Sequence, residues 1–328
     1  MIIVTGGAGF IGSNLVAGLN AIGERDILVV DNLANAEKVK NLSGLDVADY
    51  MDKAEFRRVV REGRAPDRVR AFFHQGACSD TMATDGRYVL DNNFTCSKEL
   101  FHYCRQVGAP FLYASSASVY GAGQQFIESP EFESTLNAYA YSKLLFDNYV
   151  RRQGDAGIQC AGLRYFNVYG PREQHKGRMA SVAWHFHGQY RREGKVRLFE
   201  GSAGYANGEQ RRDFVSVEDV VAVNLFLLER PKISGIFNLG TGRCQSFNDV
   251  AISVINSLRR RDGQVEISLD QAVENGAIEY IPMPSALQGK YQSYTEASLE
   301  RLRGFGYDRP FLSVEEGVGW YMEVLDQD

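Results

Sequence analysis

The sequence predicts an α/β fold, a doubly wound parallel sheet carrying a second, smaller α/β lobe. Three observations predict it. Short apolar runs alternate with amphipathic stretches through the first third of the chain. A glycine-rich turn follows the first of those runs directly. Beyond Gly170-Pro171 the pattern loosens into polar, glycine-rich segments. Strands separated by helices, with no hairpin turns between them, imply a parallel sheet covered on both faces.

Taken in order, Ile2-Ile3-Val4 reads as a strand and Ile11 to Leu19 as the helix after it. Ile27 to Val30 is the next strand, closed by Asp31. Ala71-Phe72-Phe73 and Phe111-Leu112-Tyr113-Ala114 follow, the latter running into the hydroxyls of Ser115, Ser116 and Ser118. Glu200 to Arg212 and Asp262 to Gly276 read as loops of the second lobe. The stretch Asp213 to Leu228, then Gly235 to Gly240, reads as a helix and a strand returning to the sheet. The two units are therefore expected to interleave: 1–170 with about 213–245 forms the first, and about 171–212 with 246–328 the second.

A formal net charge of -5 without a basic stripe argues against a nucleic-acid surface, so an anionic small ligand must be held by local arginines. Cys78, Cys96, Cys104, Cys160 and Cys244 are odd in number, widely spaced and free of any C-x-x-C pair. They read as reduced packing residues, and no metal site is expected. The chain opens on an apolar strand without a charged leader and has no uninterrupted apolar stretch of about 18 residues, so no membrane span and a cytoplasmic location are expected.

Thr5-Gly6-Gly7-Ala8-Gly9-Phe10-Ile11-Gly12 joins a strand to a helix with glycines at 6, 9 and 12. Gly6 permits the tight turn, Gly9 lets backbone approach a pyrophosphate, and Gly12 lets the helix pack on the sheet. The helix N-terminus adds amides and positive potential. With Asp31 ending the next strand, the pattern points to a dinucleotide. An acid there accepts from the adenosine ribose hydroxyls and favours NAD, whereas Lys38, turned toward a 2'-phosphate, permits NADP. The alternative for Lys38 and Lys40 is solvated surface charge.

Tyr139 and Lys143 stand at i and i+4 and share a helix face, while Tyr141 points elsewhere. A phenol with a pKa near ~10 is a poor base at neutral pH, and an ammonium alongside, together with a nicotinamide's positive charge, is expected to depress it. Tyr139 could then take a carbinol proton as hydride leaves. Ser116, at a strand end, could hold the same hydroxyl and polarise the developing carbonyl.

These motifs, with Arg164-Tyr165-Phe166-Asn167-Val168-Tyr169-Gly170-Pro171, resemble the extended short-chain dehydrogenase/reductase family across essentially the whole chain. More narrowly, Phe73 to Ser79, Asp91-Asn92-Asn93, Pro171 to Ser181 and Leu198 to Ser202 are similar to the branch of nucleotide-sugar epimerases that inverts C6 of an ADP-linked heptose for the lipopolysaccharide inner core. The resemblance implies a Rossmann sheet, NADP with NAD possible, a homopentamer, and Lys176 working opposite Tyr139 across a planar C6 aldehyde. It implies cofactor contacts at Phe10, Ile11, Asp31, Asn32, Lys38, Lys53, Gln75, Gly76, Ala77, Cys78, Ser79, Asn92, Lys143, Val168 and His175. Substrate contacts are implied at Ser116, Asn167, Arg178, His185, Phe199, Glu200, Gly201, Ser202, Arg212 and Tyr291.

The chain departs from that pattern in longer loops near 203–211 and 265–277, in Gln75 where an acid is expected, and in Arg211, which could replace Arg212 on a diphosphate. A 4,6-dehydratase would need acids where Ala117-Ser118 stand. A UDP-hexose 4-epimerase and a non-catalytic dinucleotide module are the remaining alternatives. The His175-Lys176 segment speaks against the first, and the intact Tyr139, Lys143 and Ser116 against the second.

Overall fold

The computed structural model describes residues 1–284 and 292–325, so Tyr291 lies outside the described residues. The first half of the chain runs β1 (Ile2–Thr5), α1 (Phe10–Ala21), β2 (Ile27–Asp31), α2 (Lys38–Leu42), β3 (Asp49–Asp52), α3 (Lys53–Arg61), β4 (Ala71–His74), α4 (Gly86–Leu90), α5 (Cys96–Val107), β5 (Phe111–Ser116), α6 (Ala138–Gln153) and β6 (Cys160–Tyr165). Then come β7 (Asn167–Tyr169), α7 (Val182–Glu193), β8 (Val196–Phe199), β9 (Arg211–Arg212), β10 (Phe214–Ser216), α8 (Val217–Leu228), β11 (Gly235–Leu239) and β12 (Gln245–Ser246). The chain closes with α9 (Phe247–Arg261), α10 (Leu269–Glu274), β13 (Ile278–Ile281), α11 (Glu300–Gly304) and α12 (Val314–Leu325).

Seven strands form one sheet in the order β11-β6-β5-β4-β1-β2-β3, and every pairing is parallel. Such strands are buried on both faces, which is why they read as unbroken apolar runs. Their side chains alternate: Ile2, Val4, Ile27 and Val29 enter a core shared with α1 and α8. Ile3, Leu28 and Val30 enter the opposite core, against α3, α5 and α6. A third core binds α7, α9, α12, β8 and β13 into the second lobe.

Two details differ from the expected boundaries. The helix foreseen from Asp213 begins only at Val217, because Phe214–Ser216 pair with Asn167–Tyr169 as a separate two-stranded ribbon, and Ser216 caps the helix through its hydroxyl. Residues after 296 do not all stay with the second lobe. Leu302, Tyr307 and Phe311 pack into the first core because their apolar side chains cover the sheet beside α8 and β11. Among the described residues no helix is long and apolar enough to cross a membrane.

Candidate active site

The strand order reverses between β1 and β4. At such a switch point the loops after the two strands diverge and leave a crevice at their carboxyl ends. Gly6, at φ 67°, sits so close to the loop after β4 that a Cβ there would lie 2.6 Å from the Gly76 nitrogen. A Cβ on Gly12 would fall 2.1 Å from the Gly6 carbonyl oxygen, so α1 can start against the turn only without a side chain. The crevice opens into a cavity of about 820 Å³, within the usual range for small-molecule sites.

Gly6, Gly9, Phe10, Ile11 and Gly12 border this cavity. So do Asp31, Asn32, Lys38, Lys53, Gln75, Gly76, Ala77, Cys78, Ser79, Asn92, Val168 and His175. The arrangement fits a dinucleotide: a side-chain-free turn, a helix N-terminus and a buried acid at the end of the neighbouring strand. Gln75 adds a donor, for its Oε1 accepts from the Tyr165 hydroxyl at 2.9 Å while its buried Nε2 has no partner among the described residues.

Lys38 is paired with Asp31 rather than standing as a solvated surface charge. Its ammonium is 3.0 Å from Asp31 Oδ1 and also reaches Asn32, because Asp31 is only 6% exposed and its charge needs a partner. The remaining Asp31 oxygen accepts from the Ala8 amide of the glycine turn at 2.9 Å.

Tyr139, Lys143 and Ser116 border the same cavity from α6 and from the end of β5, and Lys176 does so from the loop before α7. Asn137 caps α6, its side chain accepting from the Ala140 amide, and this sets where the helix begins. Tyr141 is 48% exposed on the other face.

In the protein alone, Lys143 is not among the groups that depress the phenol. Burial pushes Tyr139 above its ordinary value, and the Ser116 hydroxyl is what pulls it back. The Lys143 ammonium instead donates to the Ala114 carbonyl at 2.8 Å, and burial brings it down to about 8, with Asp147 opposing the fall. Burial also lowers Lys176, against the pull of Glu173, and its ammonium lies 5.1 Å from the Phe10 ring centroid. Both amines are thereby moved toward pH values where they can exchange protons.

Of the substrate set, Ser116, Asn167 and Arg178 border the cavity, whereas His185, Phe199, Glu200, Gly201, Ser202 and Arg212 do not. The latter stand on α7, at the end of β8 and on β9. Gly201 is anchored by Asn207 Oδ1, and Ser202 by Gln210, so the long loop shapes this segment from within. Arg212 is buried against the Phe247 ring, while Arg211 is exposed beside Glu209. Burial favours Arg212 as the fixed member of the pair.

Residues 2–240 match the model of the NAD dependent epimerase/dehydratase family. The chain belongs to that family. It is 61% identical, over 99% of its length and 98% of the relative's, to the ADP-L-glycero-D-manno-heptose-6-epimerase of Thiobacillus denitrificans. Among solved structures it resembles the enzyme of the same name from Helicobacter pylori, with a TM-score of 0.82 and 29% identity over 100% of this chain and 96% of that one. The NAD complex of Thermus thermophilus UDP-glucose 4-epimerase follows at 0.76 and 28%, covering 98% and 97%.

Within this member of the epimerase/dehydratase family, three supporting residues carry roles that the sequence reading did not assign, although His74 and Asn93 lie in motifs on which the resemblance rests. Asp147, four positions after Lys143, accepts from Tyr113, Ser115 and Arg164. Its spacing was the available signal. Asn93 lies in a π-helical turn, Asp91–Thr95, that swings its amide inward. There it bonds both backbone groups of Cys78 and the Ser142 hydroxyl, tying the loop after β4 to α6. His74 bonds Thr5 through Nδ1 and Ser97 through Nε2 beneath the cavity, and nothing in its apolar strand announces that.

Proposed function

We propose that this chain is an isomerase that inverts C6 of an ADP-linked heptose, converting ADP-D-glycero-D-manno-heptose to its L-glycero epimer through a transient C6 aldehyde. Such an enzyme supplies a precursor of the lipopolysaccharide inner core. The observation that carries the reading is the convergence of Tyr139, Ser116, Lys143 and Lys176 on the cavity bordered by the glycine turn. When bound, a nicotinamide dinucleotide supplies a hydride acceptor at the carbinol carbon and a positive charge beside the phenol. Tyr139, as the phenolate that Ser116 stabilises by donating to it, takes the carbinol proton at its oxygen. Lys143 holds its side chain straight by donating to Ala114, which leaves two ammonium hydrogens for the ligand. Lys176, on a different element, gives or takes the proton on the opposite face of the flattened carbon.

The finer readings rest on the resemblance. NADP is the preferred dinucleotide, supported by a lysine that neutralises Asp31; the homopentamer and the cytoplasmic setting are carried in the same way. Conversion of ADP-heptose by the purified protein, beside UDP-galactose as control, tests the activity. Turnover of UDP-galactose alone would overturn it. Tyr139→Phe and Lys176→Ala are each expected to slow epimerisation by ~100-fold or more; a near-normal rate in either removes that residue from the mechanism.

A further inference from the structure

We infer that Asn41, which belongs to neither the cofactor nor the substrate set, is the positioning residue for Lys176; the inference rests on the function proposed above. Asn41 is 1% exposed on the short helix α2. Its Nδ2 lies 3.0 Å from the Ala8 carbonyl of the glycine turn, 3.0 Å from the Arg172 carbonyl and 3.1 Å from His175 Nδ1. Its Oδ1 accepts from Gln174 Nε2 at 3.4 Å. These partners fix the amide's orientation, since only the nitrogen can donate to the two carbonyls. The two amide hydrogens go to the carbonyls, and the His175 ring packs against the same nitrogen at 3.1 Å.

One buried amide thus joins the dinucleotide turn to the segment that carries Lys176, 131 positions further on at Arg172. The segment needs holding. Arg172 stands at φ 71°, a left-handed state that a residue with a side chain keeps only where its surroundings enforce it. Asn14 donates to the Pro171 carbonyl at 2.9 Å, and the Arg172 guanidinium to the Ser13 carbonyl at 3.0 Å, so the front of the segment rests on α1 and α2. Its rear is fastened separately by Glu173, which accepts from the Ser181 hydroxyl at 2.6 Å and the Tyr321 hydroxyl at 3.0 Å. Loss of Asn41 loosens the front alone, which then rests on α1 only through Asn14 and the Arg172 guanidinium. Lys176 then loses its fixed reach, while Tyr139, set by α6, keeps its own. Because the two groups serve opposite faces of one carbon, the damage falls on the epimer that Lys176 deprotonates.

The test uses the full chain saturated with dinucleotide and the variants Lys176→Ala, Asn41→Ala and Asn41→Ser. Each epimer is mixed separately with excess protein and the first appearance of reduced nicotinamide is timed, while backbone hydrogen exchange is followed over residues 171–179. Lys176→Ala is expected to slow one epimer ~100-fold or more and to spare the other. Asn41→Ala is expected to slow the same epimer ~10-fold or more through misplacement and to raise exchange in 171–179 but not in α6. Asn41→Ser, which keeps a donor, should fall between Asn41→Ala and the unaltered chain. Equal slowing of both epimers, or unaltered exchange, overturns the role of Asn41 while the function stands, provided Lys176→Ala is one-sided. If Lys176→Ala is not one-sided, the reading of the site fails and the role of Asn41 with it. Should Asn41→Ala not fold, one-sided slowing in Asn41→Ser decides alone.

Discussion

Asp31 receives the Ala8 amide at one oxygen and the Asn32 amide and the Lys38 ammonium at the other. A lone carboxylate there would repel a 2'-phosphate, but this one is neutralised by a cation 3.0 Å away. Lys38 is itself part-exposed at 19% and borders the cavity. A charge-assisted hydrogen bond contributes about 1.5–3 kcal/mol, so Lys38→Ala is expected to weaken NADP at least ~10-fold more than NAD. Fluorescence titration with both dinucleotides checks this, and equal losses would make Lys38 a bystander. The acid and the lysine were both legible in the chain. Their pairing was not, because it depends on how the turn after β2 folds back.

At the scale of the element, α6 carries Tyr139, Lys143 and Asp147 at successive intervals of four, hence on one face. The first two serve the cavity and the third anchors the helix. Asp147 is fully buried and accepts from Tyr113 and Ser115 of β5 and from Arg164 of β6, which is itself fully buried. The helix cannot slide or rotate along the sheet without breaking these bonds, so the phenol and the ammonium keep their register with Ser116 and Ala114. Glu133 shares Arg164, and the guanidinium also lies 4.9 Å from the Tyr120 ring centroid. Breaking such a buried pair from one side strands the other charge, at a cost of about 3–5 kcal/mol. Asp147→Ala should therefore lower the urea unfolding free energy by that amount; a loss under ~1 kcal/mol would show that Glu133 suffices for Arg164. The spacing of the three residues could be read from the chain, but the partners come from strands over 17 to 34 positions away.

For the whole molecule, the central sheet holds a buried imidazole whose titration contributes to global stability. His74 ends β4, the strand next to β1, and its ring is 4% exposed between Thr5 and Ser97. Ser97 spends its hydrogen on the Asn93 carbonyl, so it accepts from Nε2, and Thr5 donates to Nδ1. The ring is thus held neutral, and burial takes it down to about 3, against about 6.5 in an unfolded chain. Between these values the unfolded chain binds the proton and the folded chain does not. Stability from this group is complete above pH ~6.5 and is lost as pH falls toward 3, at up to about 1.4 kcal/mol per pH unit. Asp213, raised to about 6 by burial, runs the opposite way, so the difference between the wild type and His74→Asn is the readout. Urea midpoints at pH 7 and pH 5 should fall further for the wild type, and equal falls would exclude His74 as the source.

What the chain determined by itself is whatever depends on neighbours in sequence. The period of its apolar runs set a parallel sheet, the glycine turn set a helix start at the cavity, and the interval of four placed Tyr139 beside Lys143 on one face. Tertiary structure alone decided what each charge meets. Lys38 found Asp31, Lys143 the Ala114 carbonyl, Lys176 the Phe10 ring, and Asn41 a segment more than a hundred residues away. In the protein alone the phenol went up rather than down for the same reason. Periodicity is a local property of the backbone, whereas desolvation and pairing belong to the space that distant elements enclose together.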